Sequence, residues 1–498
     1  MTDQALPHDR PPGRAAAAGG PVSREQLLAG APPPRQAGVA EVARAVGQSG
    51  RRLVVLDDDP TGTQTVAGVP VLTSWAEDDL RWAFRQPATS FFILTNSRSL
   101  GPAAMASLSR EVITALAAAA RAEGAGFVVA SRSDSTLRGH YPQETDVIAG
   151  ALRQQAGRGT DGVLIVPAYL DAGRLTVDSV HWMQGPAGFI PVGDSEFARD
   201  PAFGYASSDL RDYVAEKTAG RWCRDQVARV TLADIRSGGP DRVAAIAGGL
   251  SGGRPAVVDA VTDDDLRVLV LGILQAEAAG AELLYRVGPS FVRARAGLGA
   301  APPLSQQELA ALGLAGGAAG RHGLVVAGSH VPRTTRQLER LLAMPGVARA
   351  ELDVPAVLRP QTRAETVAAA AAEVTAALAV SDVALCTSRE LVTATGADGN
   401  LAIAATVSAA LVEVVRAVTA RLRPAWIVAK GGITSSDIAT RGLGLRRAWA
   451  RGTMLPGIVS LWDPDSTADG QSPLVVFAGN VGDDQALAQV VARLRGRD

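Results

Sequence analysis

The chain has 498 residues, is 47% hydrophobic, and carries 49 Lys and Arg against 50 Asp and Glu. That length supports two or three domains around a large buried core, and a net charge of -1 argues against a general nucleic-acid binder, whose affinity rests on neutralising many phosphates. The two cysteines, Cys223 and Cys386, lie far apart and the five histidines include no HxxxH pair, so neither a disulfide framework nor a zinc site is expected.

Residues 1 to 36 are rich in Pro, Gly, Ala and Arg without periodicity, a composition that does not offset its ordering entropy and predicts a flexible tail. The opening "MTDQALPHDRPPGRAAAAGGPVSR" has no apolar run and contains Asp3 and Asp9, so no secretory signal is expected. The Ala-rich stretch after Thr366 is broken by Glu373, short of the roughly 18 apolar residues a bilayer span needs. The expectation is a cytoplasmic protein that does not enter a membrane.

From Arg51 the pattern changes to short β-branched runs alternating with Ala-rich helical stretches: "RLVVL", "SFFILT", the helical "ASLSREVITALAAAARAEG", then "GFVVAS" and "GVLIVP". Strand, helix, strand predicts a mostly parallel sheet covered on both faces. A second series begins at "GLVVAGS" and continues through "DVALCTS", a long helix near 400 to 422, "AWIVAKGG" and "PLVVFAGN". Between the two series, residues 286 to 322 are dense in Gly, Pro and Ala and read as a connector with one helix. The predicted fold is thus α/β, two α/β domains with mostly parallel sheets. The expected boundaries are a first domain over 37–290, a linker over 291–322 and a second domain over 323–498.

Ligands of open parallel sheets bind beyond the carboxyl ends of the strands, so the residues following each apolar run are the informative ones. In the first domain these are "DDDPTGT" (57 to 63), "TNSRS" (95 to 99), "SRSDSTLRGH" (131 to 140) and "PAYLDAGR" (167 to 174). Three consecutive carboxylates at a strand end repel one another and resist burial, so they call for a positive or hydroxyl-rich partner. Together with Arg98, Arg132, Arg138 and Arg174 they suit a small polyhydroxylated acid: carboxylates take its hydroxyls, and a guanidinium takes its carboxylate in a forked pair. For Arg138 the plainer alternative is a salt bridge to Asp134 or Glu144, and for the Asp cluster an Asx turn. His140 and His181 read as ordinary imidazoles, His181 following "GRLTVDSV" towards a cleft-lining position. In the second domain "GSHVPRTT", "KGGITSSD" and "GNVGDD" place glycine with hydroxyls or amides just after strands, the outline of a nucleotide-phosphate cradle. No GxxxxGK[ST] sequence is present, which argues against a P-loop.

These motifs, in order, resemble those of the four-carbon acid sugar kinases. The family's "ADDLTGA", "DSTLRG", "PAFPxxGRxT", "GGxTS" and "GNxG" stretches are matched by "DDDPTGT", "DSTLRGH", "PAYLDAGRLT", "GGITSS" and "GNVGD", over roughly residues 52 to 490. The resemblance implies a Rossmann-like N-terminal lobe that binds the acid sugar, a C-terminal lobe that binds ATP, and an active site in the interdomain cleft. Carried over, nucleotide contacts fall on Ser329, Gly431, Gly432, Ile433, Thr434 and Gly479, and acid-sugar contacts on Asp58, Asp59, Ser135, Arg138 and Arg174. Asp58 or Asp59 is the candidate base, and Mg²⁺ accompanies the ATP. The implied partners are therefore a small sugar acid such as 3-oxo-tetronate, threonate, erythronate or the branched 3-oxo-isoapionate, and ATP; self-association is left open. Two other readings compete. A haloacid-dehalogenase-type phosphatase would use Asp57-x-Asp59 after the first strand, with Asp483 or Asp484 for Mg²⁺, but leaves "DSTLRG" and "GRLT" unexplained. A non-catalytic sugar-acid-binding protein would close on its ligand without ATP turnover.

Overall fold

The computed structural model describes residues 20–157, 159–314, 321–328, 331–388, 392, 397–465, 471–479 and 481–497. The N-terminal lobe contains β1 (Arg51–Asp57), β2 (Val69–Leu72), β3 (Ser90–Leu94), β4 (Gly126–Arg132), β5 (Gly162–Val166), β6 (Arg174–Val177), β7 (Val180–Gly185), β8 (Gly188–Pro191), β9 (Ala228–Val230), β10 (Arg254–Val258) and β11 (Leu283–Val287). The C-terminal lobe contains β12 (Leu324–Ala327), β13 (Val347–Leu352), β14 (Asp382–Thr387), β15 (Ile427–Lys430), β16 (Arg447–Leu455), β17 (Ile458–Pro464) and β18 (Leu474–Phe477). Strands β12 and β18 are apolar along their length, as are the 53–56 and 91–94 stretches of β1 and β3, and all are buried on both faces, the signature of parallel strands covered by helices.

Both predicted series are present, and they join. The strand order β13-β14-β12-β15-β18-β17-β16-β2-β3-β1-β4-β11-β5-β10-β9 forms one 15-stranded sheet. It is parallel within each lobe, while the β16–β17 hairpin and its pairing to β18 and β2 are antiparallel. The seam is β16 against β2, Arg447 to Ala450 opposite Leu72 to Val69. A short one-residue-per-position strand pair at the seam would be weak alone; here Val69, Val71 and Leu72 are buried beside Ala448 and Ala450, so apolar burial fixes the register. A separate three-stranded antiparallel sheet, β6-β7-β8, stands beside the N-terminal lobe.

Three expectations are corrected. The segment 20–36 is not a free tail. Ser23 and Gln26 form a capping box, Val22 and Phe189 exchange backbone hydrogen bonds of 2.9 and 2.8 Å, and Leu27 and Leu28 pack on Leu175, Phe189 and Val261. Four apolar contacts in a Pro- and Ala-rich stretch leave no periodicity to read, yet they suffice to dock it on the small sheet. The presumed connector begins too early: β11 and the helix Pro289–Arg295 lie in the N-terminal core, every residue of that helix being buried. Its glycine signals close packing, since a Cβ on Gly288 would lie 2.5 Å from the Ala168 carbonyl. Residues 306–311 form the one short helix expected after it.

Two helices, Pro102–Glu123 and the 402–419 part of Ala397–Thr419, have the length and mean hydropathy of a membrane span, against the expectation that none would. Alanine raises their average hydropathy without supplying bulk. Met105, Val112, Ile113 and Leu116 of the first, and Leu411, Val414, Val415 and Val418 of the second, are buried in the core.

Candidate active site at the lobe junction

The three carboxylates after β1 have three different partners. Asp57 pairs with Arg132, both almost fully buried, and Gly62 is packed so closely on this pair that a Cβ there would overlap it. Asp58 is gripped through both oxygens by Arg98, at 2.6 and 3.1 Å. Asp59 accepts from the Thr61 N–H at 2.9 Å and its hydroxyl at 2.5 Å, with Arg98 Nη1 3.6 Å away. The bonds to Thr61 are an Asx turn, but it occupies only one of the three side chains. Burial pushes Asp57 up to about 7 despite Arg132. Burial likewise raises Asp58, with Arg98 opposing. Burial would raise Asp59 too, but Arg98, Arg132 and the Thr61 hydrogen bonds outweigh it and hold the carboxyl below its usual value. Asp59 is therefore the carboxylate of the three held firmly ionised.

The other predicted residues of this lobe surround the cluster. Ser135 and Arg138 sit on the loop after β4. Arg138 donates through Nε to Asp134 at 2.6 Å, has Asp200 at 3.6 Å and lies over the Phe197 ring, so the salt-bridge alternative to Asp134 is what forms. Arg174, at the start of β6, is different. Its guanidinium donates to the Ala172 carbonyl at 3.2 Å, lies 5.9 Å from the Tyr169 ring centroid, and keeps a buried Nε with no hydrogen-bond partner among the described residues; burial lowers its pKa. Beneath the loop, Glu144 accepts from Ser97, Ser131 and Arg286 at 2.7 to 2.8 Å. Arg98, Arg132 and Arg286 each follow or end a strand, which is the positional signal that marks them.

In the C-terminal lobe the three glycine turns converge. Gly431 has φ 118°, a conformation suited to glycine, and starts the helix Gly432–Asp437. Lys430 Nζ, fully buried over the Phe477 ring, donates to the carbonyls of Ala478 at 2.7 Å and Gly479 at 3.3 Å. Thr334 also donates to Gly479, at 3.3 Å. A Cβ on Gly328 would lie 3.0 Å from the Thr434 hydroxyl, so the β12 and β15 turns touch. Burial, with Arg333 adding, pulls the Lys430 ammonium down to about 7. Ile433 is 57% exposed. Ser329 lies outside the described residues. Lys430 was not foreseen; its place directly before "GG" at a strand end was the available signal.

The two halves meet at Asp59. A Cβ added to Gly432 would lie 2.8 Å from Asp59 Oδ2, so the ionised carboxylate of one lobe faces the glycine turn of the other. The segment Pro60–Thr65 fastens the junction: Thr63 bonds to Ser460 at 3.0 Å and to Trp462 Nε1 at 2.8 Å, and the Tyr169 hydroxyl lies 2.9 Å from both Gln64 Oε1 and the Gly457 carbonyl. The phosphatase reading fares poorly here, because its nucleophile Asp57 is enclosed against Arg132 and Asp484 is paired with Arg336 on the surface.

Comparison with known proteins agrees with this division. A model described as a sugar-binding N-terminal domain matches residues 53–295, and one described as a nucleotide-binding C-terminal domain matches 324–487, together more than four-fifths of the chain. An α/β protein with this pair of domains on one chain is a two-lobed ligand-and-nucleotide binder. The chain belongs to the four-carbon acid sugar kinase family that this architecture defines. Among solved structures it is similar to a Salmonella typhimurium LT2 protein whose description proposes a tRNA synthase (18% identity, 88% of this chain and 98% of that one, TM-score 0.63). It is also similar to a Haemophilus influenzae protein of the DUF1537 family (19% identity, 88% and 98%, TM-score 0.57). At such identity these likenesses speak for the fold. No curated protein matches the chain.

Proposed function

We propose that the protein is an ATP-dependent kinase that phosphorylates a hydroxyl of a small sugar acid: a four-carbon acid such as 3-oxo-tetronate, threonate or erythronate, or a branched relative such as 3-oxo-isoapionate. The observation that carries the reading is the approach of Asp59 to Gly432, an ionised carboxylate of the sugar-binding lobe against a main-chain turn of the nucleotide-binding lobe. Phosphoryl transfer needs in-line positioning and charge neutralisation more than covalent help.

In this reading Asp59 orients the attacking hydroxyl and accepts its proton. Asp58, with both oxygens held by Arg98, keeps that arginine in place and offers its remaining lone pairs to a second hydroxyl. Arg174 supplies charge for the substrate carboxylate, and Ser135, on the loop after β4, lines the same side of the cluster. Backbone N–H groups of 432 to 434 and the turn at Gly479 hold the phosphates, with Thr434 and Ile433 beside them and Ser329 expected there from its motif; the Gly431 N–H, expected among them, is instead spent on the Phe477 carbonyl at 2.8 Å. Mg²⁺ bound with the ATP would neutralise charge on the phosphates. A reaction consuming ATP suits the cytoplasmic location expected from the sequence.

The test is purified protein with ATP, Mg²⁺ and a panel of threonate, erythronate, their 3-oxo forms and 3-oxo-isoapionate, followed by ADP release. Turnover with one acid and not with the others is the expected result. Release of phosphate from a sugar phosphate without ATP would favour the phosphatase, and binding without either reaction a carrier or sensor.

A further inference from the structure

The loop that carries Ser135 and Arg138 is held from behind by three buried rings. His181 Nε2 donates to the Ser135 carbonyl at 2.8 Å, the Tyr205 hydroxyl to that of Thr136 at 2.6 Å, and the Tyr213 hydroxyl to that of Leu137 at 2.9 Å. The rings come from three places: β7, the segment after Phe203, and the helix Leu210–Lys217. His181 is fully buried and its Nδ1 is 2.9 Å from the Thr176 hydroxyl. A carbonyl can only accept, so the ring proton sits on Nε2 and Thr176 donates to Nδ1. Tyr205 and Tyr213 pack edge to face at 5.5 Å, and Leu137 fills the same apolar cluster.

With three successive carbonyls tied down on one side, and the Leu137 N–H closing a turn onto the Asp134 carbonyl at 3.0 Å, the remaining N–H groups are left for the other side. Those of Ser135, Thr136, Arg138 and Gly139 donate to no other described residue, although Ser135, Thr136 and Gly139 are buried. Buried N–H groups without an acceptor are rare in folded proteins. The backbone here alternates in hand, with φ 69° at Leu137 and 127° at Gly139 and negative values between, the alternation that gathers successive N–H groups into an anion-binding concavity. A leucine in the left-handed region is itself costly, and the ring contacts hold it there. A second observation points to the same spot. Arg286 is 5% exposed, and its Nη2 has no hydrogen-bond partner among the described residues and lies 2.6 Å from where a Gly139 Cβ would stand, with Asp58 Oδ2, itself gripped by Arg98, 3.3 Å from the same point. The Arg138 guanidinium is committed elsewhere, to Asp134, and that carboxylate is in turn neutralised by Arg138 and the Thr136 hydroxyl.

Resting on the kinase reading, we propose that the 135–139 loop is a main-chain receptor for the carboxylate of the sugar acid, and that His181, Tyr205 and Tyr213 are positioning residues that keep its carbonyls away from that anion. Arg286 and Arg174 add charge, while the amides give the fit. A rotated peptide would set a carbonyl dipole against the carboxylate, which is why the rear contacts matter to binding.

The test uses Tyr205→Phe and Tyr213→Phe, singly and together, which delete the donors and keep the rings. Full-length protein is titrated calorimetrically with threonate and erythronate, with threitol and erythritol as probes lacking the carboxylate, and with ADP. The double variant should bind the acids about tenfold or more weaker, as two neutral hydrogen bonds imply, with its preference for acid over alcohol reduced and ADP binding unchanged. Equal acid affinity in wild type and double variant would overturn the inference and leave the kinase reading standing. Failure of the wild type to bind any acid would overturn both. Should the double variant not fold, the single variants decide: a selective loss of about threefold or more in acid binding supports the proposal, and no loss overturns it.

Discussion

Gly432→Ala is the sharpest perturbation of the junction. The added methyl would stand 2.8 Å from Asp59 Oδ2 and 3.6 Å from its Cγ, where ordinary contact begins near 3.4 Å. Relief therefore needs a retreat of about 0.6 Å. Asp59 cannot yield freely, because its Oδ1 is fixed by the N–H and hydroxyl of Thr61 at 2.9 and 2.5 Å. Either the carboxylate rotates off its line or the lobes part. A misplacement of about 1 Å in a reacting group costs on the order of a hundredfold, so a tenfold to hundredfold fall in kcat is expected, about 1.4 to 2.7 kcal/mol of barrier. Stability should move the other way or not at all. Gly432 is helical and does not have a positive φ, and alanine in a helix gains up to about 1 kcal/mol over glycine, which offsets the strained contact. The assay is ADP release with the acid that the panel identifies, alongside thermal unfolding. Full turnover at unchanged Tm would refute the idea that Asp59 and the Gly432 turn act together. A loss that tracks a drop in Tm would refute it as well, because the defect would then be in folding.

Asp59→Asn and Asp58→Asn should separate. The first removes the ionised carboxylate at the junction and should cut turnover by about a hundredfold or more, with some fall in Tm as well, since a carboxyl held below its usual value contributes stability when ionised; the second strands Arg98 against a neutral amide and should cost about 2 to 3 kcal/mol of stability in denaturant titrations. Arg174→Met should raise KM for the acid by about tenfold or more, as loss of a charge-assisted pair implies, while KM for ATP and Tm hold, since the Arg174 Nε has no partner to lose. Lys430→Met should raise KM for ATP by freeing the Ala478 and Gly479 carbonyls. It should also change the pH dependence of stability. Burial pulls the Lys430 pKa down to about 7 in the folded chain against 10.5 for an ordinary lysine, so the unfolded chain binds more protons between those values and the wild type gains stability as pH rises from 7 towards 10.5. The Tm difference between wild type and variant should shift in that direction over the window and be flat below it; a flat difference throughout would show that Lys430 is not held neutral.

What the sequence disclosed and what it withheld divide along one physical line. Alternating apolar runs and helical stretches are local patterns, and so are carboxylates or glycines placed at the end of a run. They disclosed both series of strands, the Asp57 to Asp59 cluster, the DSTLRG loop and the glycine turns. The seam between β2 and β16 joins residues some 375 positions apart, and nothing in "VPVL" names its partner. Arg138 and Arg174 look alike in sequence, each two to four residues from an Asp or aromatic, yet one is spent on Asp134 and the other keeps a free donor, because Asp134 shares a loop with the first alone. The ring contacts behind Ser135 to Leu137 are the clearest case. His181, Tyr205 and Tyr213 follow no spacing rule, since each serves one carbonyl from a different element, and a ring that donates to a carbonyl leaves no compositional trace. A motif such as DSTLRG therefore records the residues of the loop itself, whereas the side chains that hold its carbonyls from behind are dispersed among tyrosines and a histidine that a reader of the sequence assigns to the core.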